Sequence, residues 1–206
     1  EDVLRLGFIG VGRQAMYLLS SFINIEGLKV VACADVYGIK RERFVQRVSA
    51  HYAEIGKELD VKAYEDYKDL LANEEIDAVV IASPDHWHAH MAIDASNAGK
   101  DIYLEKPLTF SIEEGQKLIK TVRANNTILA VGSQQRSDSS FQHAVKMVQE
   151  GRLGKLEKIN VHIGSDPHPR PYDALEQDVP ADLNWDMWLG PNPYVHYNEI
   201  LNPAIS

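Results

Sequence analysis

Apolar residues recur along the first two-thirds of the chain as short, continuous runs separated by stretches of helical spacing. Strands are predicted over 4–9, 28–34, 78–82, 102–104 and 128–131, with a weaker one over 61–64. Helices are predicted between them over 14–25, 40–59, 67–72, 90–98 and 112–124, then over 141–150. Gly99 supplies a helix stop, and Ser111-Ile112-Glu113-Glu114 reads as a capping-box start. Runs such as "AVVIA" at 78–82 are apolar throughout rather than alternating, as strands covered on both faces must be. Strand-helix alternation with buried strands predicts an α/β doubly wound parallel sheet.

A different period begins at "KLEKINVHIGS". Leu156, Ile159, Val161 and Ile163 approach a repeat of two, with Asn160 and His162 on the other side. That pattern predicts a strand with one solvated face. The expected organisation is therefore a nucleotide-binding domain over 1–133 and the start of a second α/β domain over 134–206. One such strand cannot make a stable sheet, so most of that second domain is expected to lie beyond Ser206.

Chemistry enters at the strand ends. "LGFIGVGRQA" places Gly10-Val11-Gly12-Arg13-Gln14-Ala15 between the first strand and the first helix as G-x-G-x-x-A. Gly10 suits the tight turn, Gly12 the close approach of a pyrophosphate, and Ala15 close helix–strand packing. The helix start with Val11, Arg13 and Gln14 offers N–H groups and a positive dipole end to phosphates. Asp35 ends the second strand, "LKVVACAD", where a carboxylate can accept from adenosine ribose hydroxyls and would repel a 2′-phosphate. NAD is therefore the expected cofactor and NADP the less favoured one. Lys40 and Arg41, close behind, could soften that preference.

Ligands of such sheets sit beyond the carboxyl ends of the strands. The fourth strand delivers "ASPDHWHAH" there, bringing Ser83, Pro84 and His88, and the fifth delivers "LEKP", bringing Glu105 and Lys106. An ammonium at that lip can hydrogen-bond a substrate hydroxyl and exchange a proton with it. The bland alternative is a solvated Glu-Lys strand terminus. His86, His88 and His90 invite a metal reading, but a loop-to-helix transition scatters the three rings, and no metal is expected. After the sixth strand, Gln134 is read as a cofactor or substrate contact, with Arg136 undecided. Trp185 and Trp188 either form a sugar-stacking platform or anchor a long loop.

Bulk properties narrow the class. A formal charge of −9 argues against nucleic acid as a partner. No basic amphipathic run or long apolar span suggests a membrane. A lone Cys33 among Val30, Val31 and Ala32 reads as a buried thiol. Cytoplasm is the default compartment; the chain opens at Glu1 rather than Met, which leaves room for a removed leader and a periplasmic location.

With "GFIGVGRQA", "ASPDHWHAHMAIDASNAGKDIYLEKPL", "VGSQQR" and "EGRLGKLEKI" in place, the chain resembles the Gfo/Idh/MocA oxidoreductase family, which includes glucose-fructose oxidoreductase and inositol dehydrogenase. The match runs from Leu4 to about Gly190, and its specific element is Glu-Lys-Pro at that distance from the glycine loop. The resemblance implies a Rossmann domain followed by an α/β domain with a large open, largely antiparallel sheet. It also implies homo-oligomers built on that sheet, NAD or NADP as cofactor, and sugars, polyols or related alcohols as substrates. Lys106 resembles the lysine that helps deprotonate the substrate hydroxyl and orient the nicotinamide. Glu105 resembles the residue beside the nicotinamide ribose, and His88 the histidine of the loop after the fourth strand. Further catalytic residues of the family, an Asp and a His, are expected beyond Ser206. The leading expectation is an NAD-dependent dehydrogenase or reductase acting on a carbohydrate-like alcohol. The alternatives are a glycosidase that oxidises its sugar transiently and a sensor that binds NAD without turnover.

Overall fold

The computed structural model describes residues 3–162 and 173–204. Six strands, β1 (Leu4–Ile9), β2 (Leu28–Ala34), β3 (Lys62–Tyr64), β4 (Ala78–Ile81), β5 (Asp101–Glu105) and β6 (Leu129–Gly132), pair in parallel in the order β3-β2-β1-β4-β5-β6. The reversal of direction between β1 and β4 leaves a crevice at their carboxyl ends. Helices α1 (Arg13–Phe22), α2 (Gly38–Glu54), α3 (Tyr67–Leu71), α4 (His88–Asn97) and α5 (Ile112–Ala124) make the crossovers. The doubly wound sheet expected from the apolar runs is present, and it is of the Rossmann type.

Both faces of the sheet carry a core, which is why the central strands are apolar throughout. Phe8, Val30, Val80, Phe44 and Leu19 pack on the side of α1 and α2. Ile9, Val79, Ile81, Leu104, Leu70 and Leu118 pack on the side of α3, α4 and α5. All four residues of β4 are buried. Local signals set the helix ends as expected. Ser111 and Glu114 form a reciprocal capping box at the start of α5, and Gly99, with φ of 72°, follows the end of α4. Among the described residues no helix is long and apolar enough to cross a membrane.

The last third departs from expectation in two places. Residues 156–162 form no strand and are exposed, and Ile163 lies outside the described residues. A strand of this kind needs a neighbouring ladder, and among the described residues none lies beside it. An open antiparallel sheet is accordingly not seen among the described residues. Residues 133–175 make a compact unit of their own, which contains α6 (Ser139–Gln149).

The segment from Glu176 onward, assigned to a second domain on sequence, belongs to the same compact unit as the sheet. It carries α7 (Trp185–Leu189), pairs Leu183 with Tyr37 in an antiparallel bridge, and buries Trp185, Leu189 and Tyr197 in a satellite core. Asp182 joins it to α2. The N-cap residue Tyr37 offers no side-chain cap, and instead the Gly38 N–H donates to the Asp182 carbonyl and the Ile39 N–H to its Oδ2, each at 2.8 Å. A Cβ at Gly38 would lie 2.8 Å from that carboxylate oxygen, so glycine permits the cap.

Cys33 is fully buried, and burial together with the Asp35 carboxylate pushes its thiol up to about 12. A thiol reagent at pH 8 is therefore expected to leave the native chain unlabelled and to label one thiol after denaturation. Mass spectrometry of native and unfolded samples checks this; stoichiometric labelling of the native chain would contradict the burial.

Candidate cofactor site

The crevice beyond β1, β2 and β4 is lined by Gly10, Gly12, Asp35, Lys40, Ser83 and Pro84. Trp87, Trp188, Leu201 and Asn202 complete its walls around about 870 Å³ of empty space, open mouth included. Gly10 has φ of 76°, and a Cβ there would lie 2.7 Å from the Ser83 backbone. The glycine therefore serves both the turn and the close approach of the loop after β4. Gly12 is the N-cap of α1 and supplies no side-chain cap, so the first N–H groups of a ten-residue helix remain open to an anion. Ala15, in the first turn of α1, is fully buried, as suits a small third residue of the motif. Val11 is buried in the core and Arg13 is exposed at the helix start.

Asp35 holds this loop in place. Its Oδ2 accepts from the Val11 N–H at 2.8 Å and its Oδ1 from the Tyr37 N–H at 2.9 Å. Burial is the largest influence on its carboxyl and raises its pKa above the usual carboxylate range, against the two N–H donors and the nearby Lys40 and Arg41. Each oxygen keeps a further lone pair for a ligand hydroxyl. Lys40 is buried beside it and donates to Asn202 Oδ1 at 2.7 Å, while Arg41 donates to the Asp35 carbonyl at 2.5 Å.

At the lip of β5 the carboxylate and the ammonium part company. Glu105 is only 3% exposed, and its Oε1 accepts from Gln14 Nε2 on α1 at 3.1 Å. Its Oε2 accepts from the Lys106 N–H at 3.1 Å. Gly132, its register partner on β6, makes room for it: a Cβ there would lie 2.7 Å from Glu105 Oε1. Lys106 is exposed, and among the described residues its side chain makes no ion pair or hydrogen bond. Gln14, expected at the cofactor, is thus engaged with Glu105, which joins the glycine loop to the Glu-Lys-Pro strand end.

His88 is placed differently from its expected role. It is 1% exposed, does not line the crevice, and sets Nε2 at 2.9 Å from the Ser83 carbonyl and Nδ1 at 2.6 Å from that of Pro107. The ring ties the loop after β4 to the one after β5, so it positions both loops and has no nitrogen left for a substrate. His86 Nε2 meets the Trp188 carbonyl at 3.0 Å, and His90 is exposed against Trp87. The three histidines therefore diverge. Gln134 and Arg136 lie in a short turn of the other compact unit, both exposed.

Sequence reasoning offered loop anchoring for Trp185 and Trp188 but missed Trp87 and Gly190. Trp87 donates Nε1 to the carbonyls of Met187 and Trp188, and Gly190, with φ of 56°, closes on its ring so tightly that a Cβ would lie 2.4 Å away. Trp188 stacks on Trp185 at 4.6 Å and lines the crevice. The tryptophans thus anchor a loop, and the loop they anchor is a wall of the site. The "W-D-M-W-L-G-P" spacing was the available signal.

Comparison with known proteins agrees with this geometry. Residues 4–133 match the model of the Gfo/Idh/MocA family, described as an oxidoreductase family with an NAD-binding Rossmann fold, and the chain belongs to that family. A glycosyl hydrolase family 109 protein of Shewanella sp. is 30% identical over 75% of this chain and 34% of its own length. Myo-inositol 2-dehydrogenase of Thermotoga maritima is 29% identical over 84% of this chain and 48% of its own. The crystal structure of scyllo-inositol dehydrogenase from Lactobacillus casei, with bound NAD(H) and scyllo-inositol, superimposes with a TM-score of 0.65 at 25% identity, covering 74% of this chain and 42% of that one. The chain thus spans less than half the length of these relatives.

Gly10→Ala is expected to cost roughly 1–3 kcal/mol, because the left-handed backbone and the Ser83 backbone both resist a methyl group. Urea denaturation checks this, and an unchanged midpoint would show that the loop relaxes freely.

Proposed function

We propose that this chain is the cofactor-binding part of an oxidoreductase that passes a hydride between NAD and a carbon bearing a hydroxyl on a sugar, polyol or related alcohol. The observation that carries the reading is the chain of contacts from the glycine loop through Gln14 and Glu105 to Lys106. These contacts link the start of α1 to the strand end after which Lys106 stands exposed, which supports the reading. The residues fit the cofactor: an uncapped helix start, a half-buried acceptor at Asp35, and enclosed polar atoms at Ser83 Oγ and Asn202 Nδ2 without partners among the described residues.

When bound, NAD supplies the hydride-accepting ring carbon. The open N–H groups of α1 hold the pyrophosphate and Asp35 accepts from the adenosine ribose hydroxyls. Glu105, kept rigid by Gln14, lies beside the nicotinamide ribose. Lys106, in its neutral form, takes the proton that the substrate hydroxyl must release as its carbon is oxidised, and returns it in the reverse direction. His88 positions the Ser83 and Pro107 loops and does not itself touch the substrate. Remaining catalytic groups and contacts between copies of the protein are assigned to sequence outside the parts described here.

A second reading has its own support, since family 109 glycosyl hydrolases are among the relatives. A hydrolase of this kind would place Lys106 in the same proton path while NAD took a hydride from the sugar; loss of the aglycone, addition of water and return of the hydride would then leave NAD unchanged. Release of aglycone without accumulation of NADH would favour the hydrolase; NADH formed in proportion to substrate consumed would favour the dehydrogenase.

Lys106→Ala, in protein carrying the remaining catalytic sequence, should lower turnover by about 10²–10⁴-fold while sparing NAD affinity. Steady-state kinetics paired with calorimetric titration test this, and unchanged turnover would remove Lys106 from the proton path. Binding should also depend on pH. The ionised Asp35 is the form that accepts ribose hydroxyls, and its pKa is raised, so NAD affinity should fall on acidification at a pH above the ordinary carboxylate range near 4. Asp35→Asn should flatten that profile; the same profile in the variant would assign the titration elsewhere.

A further inference from the structure

Part of the crevice is walled by rings. Tyr67, Trp87 and Trp188 line it together with Met91 and Met187. Tyr67 commits its hydroxyl to Asp94 Oδ2 at 2.7 Å, and Trp87 commits its N–H to the carbonyls of Met187 and Trp188. Both therefore offer the crevice apolar ring surface rather than a hydrogen-bonding group. Trp188 is half-buried: Trp185 stacks on it at 4.6 Å, His86 meets it in a T-shaped contact, and the surface left over lines the crevice. Among the described residues no second ring stacks on it.

The same wall carries a carboxylate. Glu65, exposed just after β3, lines the crevice, and its Oε1 accepts from Asn184 Nδ2 at 2.9 Å. Asn184 is the N-cap of α7, the helix that bears Met187 and Trp188. Its own N–H donates to the Val36 carbonyl and its Oδ1 accepts from the Met187 N–H, so the amide nitrogen is the atom that must face Glu65. The second oxygen of Glu65 makes no hydrogen bond or ion pair among the described residues. Asn184 and Trp188 both lie outside the region matched by the family model.

Position decides what these groups serve. The last register pair of β2 and β3 is Ala34 with Tyr64, and the Asp35 N–H donates to the Tyr64 carbonyl at 3.2 Å. Glu65 thus stands one strand beyond Asp35, the acceptor assigned to the adenosine ribose. Lys106 follows β5, three places from β2 in the sheet and roughly 14 Å away at ordinary strand spacing, and it does not line this crevice. A sugar reacting at Lys106 is therefore not the group that meets Trp188. The group next to the ribose is the base, which is flat, and in adenine its edge carries an exocyclic amine.

Resting on the assignment of this crevice to NAD, we propose that Trp188 and Glu65 form the subsite for the cofactor's base: Trp188 stacks on the ring, and the second oxygen of Glu65 accepts from the exocyclic amine of adenine. A carboxylate only accepts. With the ribose held at Asp35, hypoxanthine presents a carbonyl oxygen where adenine presents N–H, and two acceptors repel. The subsite therefore selects adenine over hypoxanthine.

The test is calorimetric titration of the full chain with NAD, ADP-ribose and nicotinamide hypoxanthine dinucleotide, for the wild type, Glu65→Gln, Trp188→Leu and Trp188→Phe, with thermal melts to confirm folding. The wild type should bind NAD about tenfold more tightly than the hypoxanthine dinucleotide, the low end of the worth of a hydrogen bond to a charged group. In Glu65→Gln the amide oxygen takes the place facing Asn184 Nδ2, which leaves the amide N–H for the base. The preference should then vanish or reverse, a gain for the hypoxanthine ligand that damage to the fold would not produce. Trp188→Leu should weaken all three ligands alike by about fivefold or more, because stacking does not depend on the exocyclic group, and Trp188→Phe should restore most of the loss. Equal wild-type affinity for the two dinucleotides, or an unchanged preference in Glu65→Gln, would overturn the role of Glu65. Wild-type affinity in folded Trp188→Leu would overturn the stack. A folded wild type that binds neither NAD nor ADP-ribose would instead overturn the functional reading beneath it.

Discussion

Asp35 carries a constraint that much of the site inherits. A carboxylate at the end of β2 accepts from the N–H of Val11 in the glycine loop and from the N–H of Tyr37, one residue before α2. Desolvation works against its charge, and the two backbone donors offset part of that cost. The bond to Val11 fixes the turn between β1 and α1, and therefore where the open end of α1 points. The bond to Tyr37 fixes the start of α2, and with it the place of Lys40. On the proposed reading, a cofactor hydroxyl arriving at Asp35 would meet an acceptor already oriented by two other bonds, so little ordering would remain to be done on binding.

The same economy of placement explains why a strand can end on a carboxylate, an ammonium and a proline. Glu105 is the last residue of β5 and is turned inward, where Gln14 and the Lys106 N–H satisfy it and Gly132 leaves it space. Lys106 follows immediately, exposed. A buried carboxylate next to a free ammonium is not a solvated strand end, since a solvated glutamate needs neither a glycine opposite it nor an amide from another helix. His88 completes the arrangement by binding the carbonyls on either side, those of Ser83 and Pro107. Gln14, Glu105, Gly132 and His88 together hold the strand end, and Lys106 stands exposed just after it.

What could be read beforehand divides by sequence distance. The strand runs, the capping box at Ser111, the stop at Gly99 and the glycine loop are local patterns, and the structure contains them with shifts of a residue or two at their ends. Asp35 stands at the end of β2 as the distance from the loop suggested, but its bonds to the Val11 and Tyr37 N–H groups could not be read from that distance. The return of residues 176–204 to the sheet was not legible, because its ties are long-range. Asp182 caps α2 across 143 positions, and Asn202 meets Lys40 across 162. Likewise nothing around His88 signals that two carbonyls, one five and one nineteen positions away, would occupy its ring. The strand expected at 156–162 failed for the converse reason: its alternation is a local signal, but a strand exists only when a neighbour supplies the ladder.

The carboxyl edge of the sheet is unequal from β2 to β5. At the β2 end the walls come from four places in the chain: Asp35, Lys40, Ser83 and Trp188 with Asn202. Trp87 and Gly190 interlock behind them, and the stacked pair Trp185 and Trp188 stiffens the returning segment. At the β5 end the buried layer stops at Glu105, and Lys106 stands exposed. Recognition and reaction ask for opposite environments: binding a constant group tightly favours an enclosed pocket with matched donors and acceptors, whereas receiving a substrate requires an approach. On the proposed reading, the fold would supply the first by bringing distant chain back over β2, and the second by ending β5 where its last inward-facing residue is satisfied and the next one is exposed.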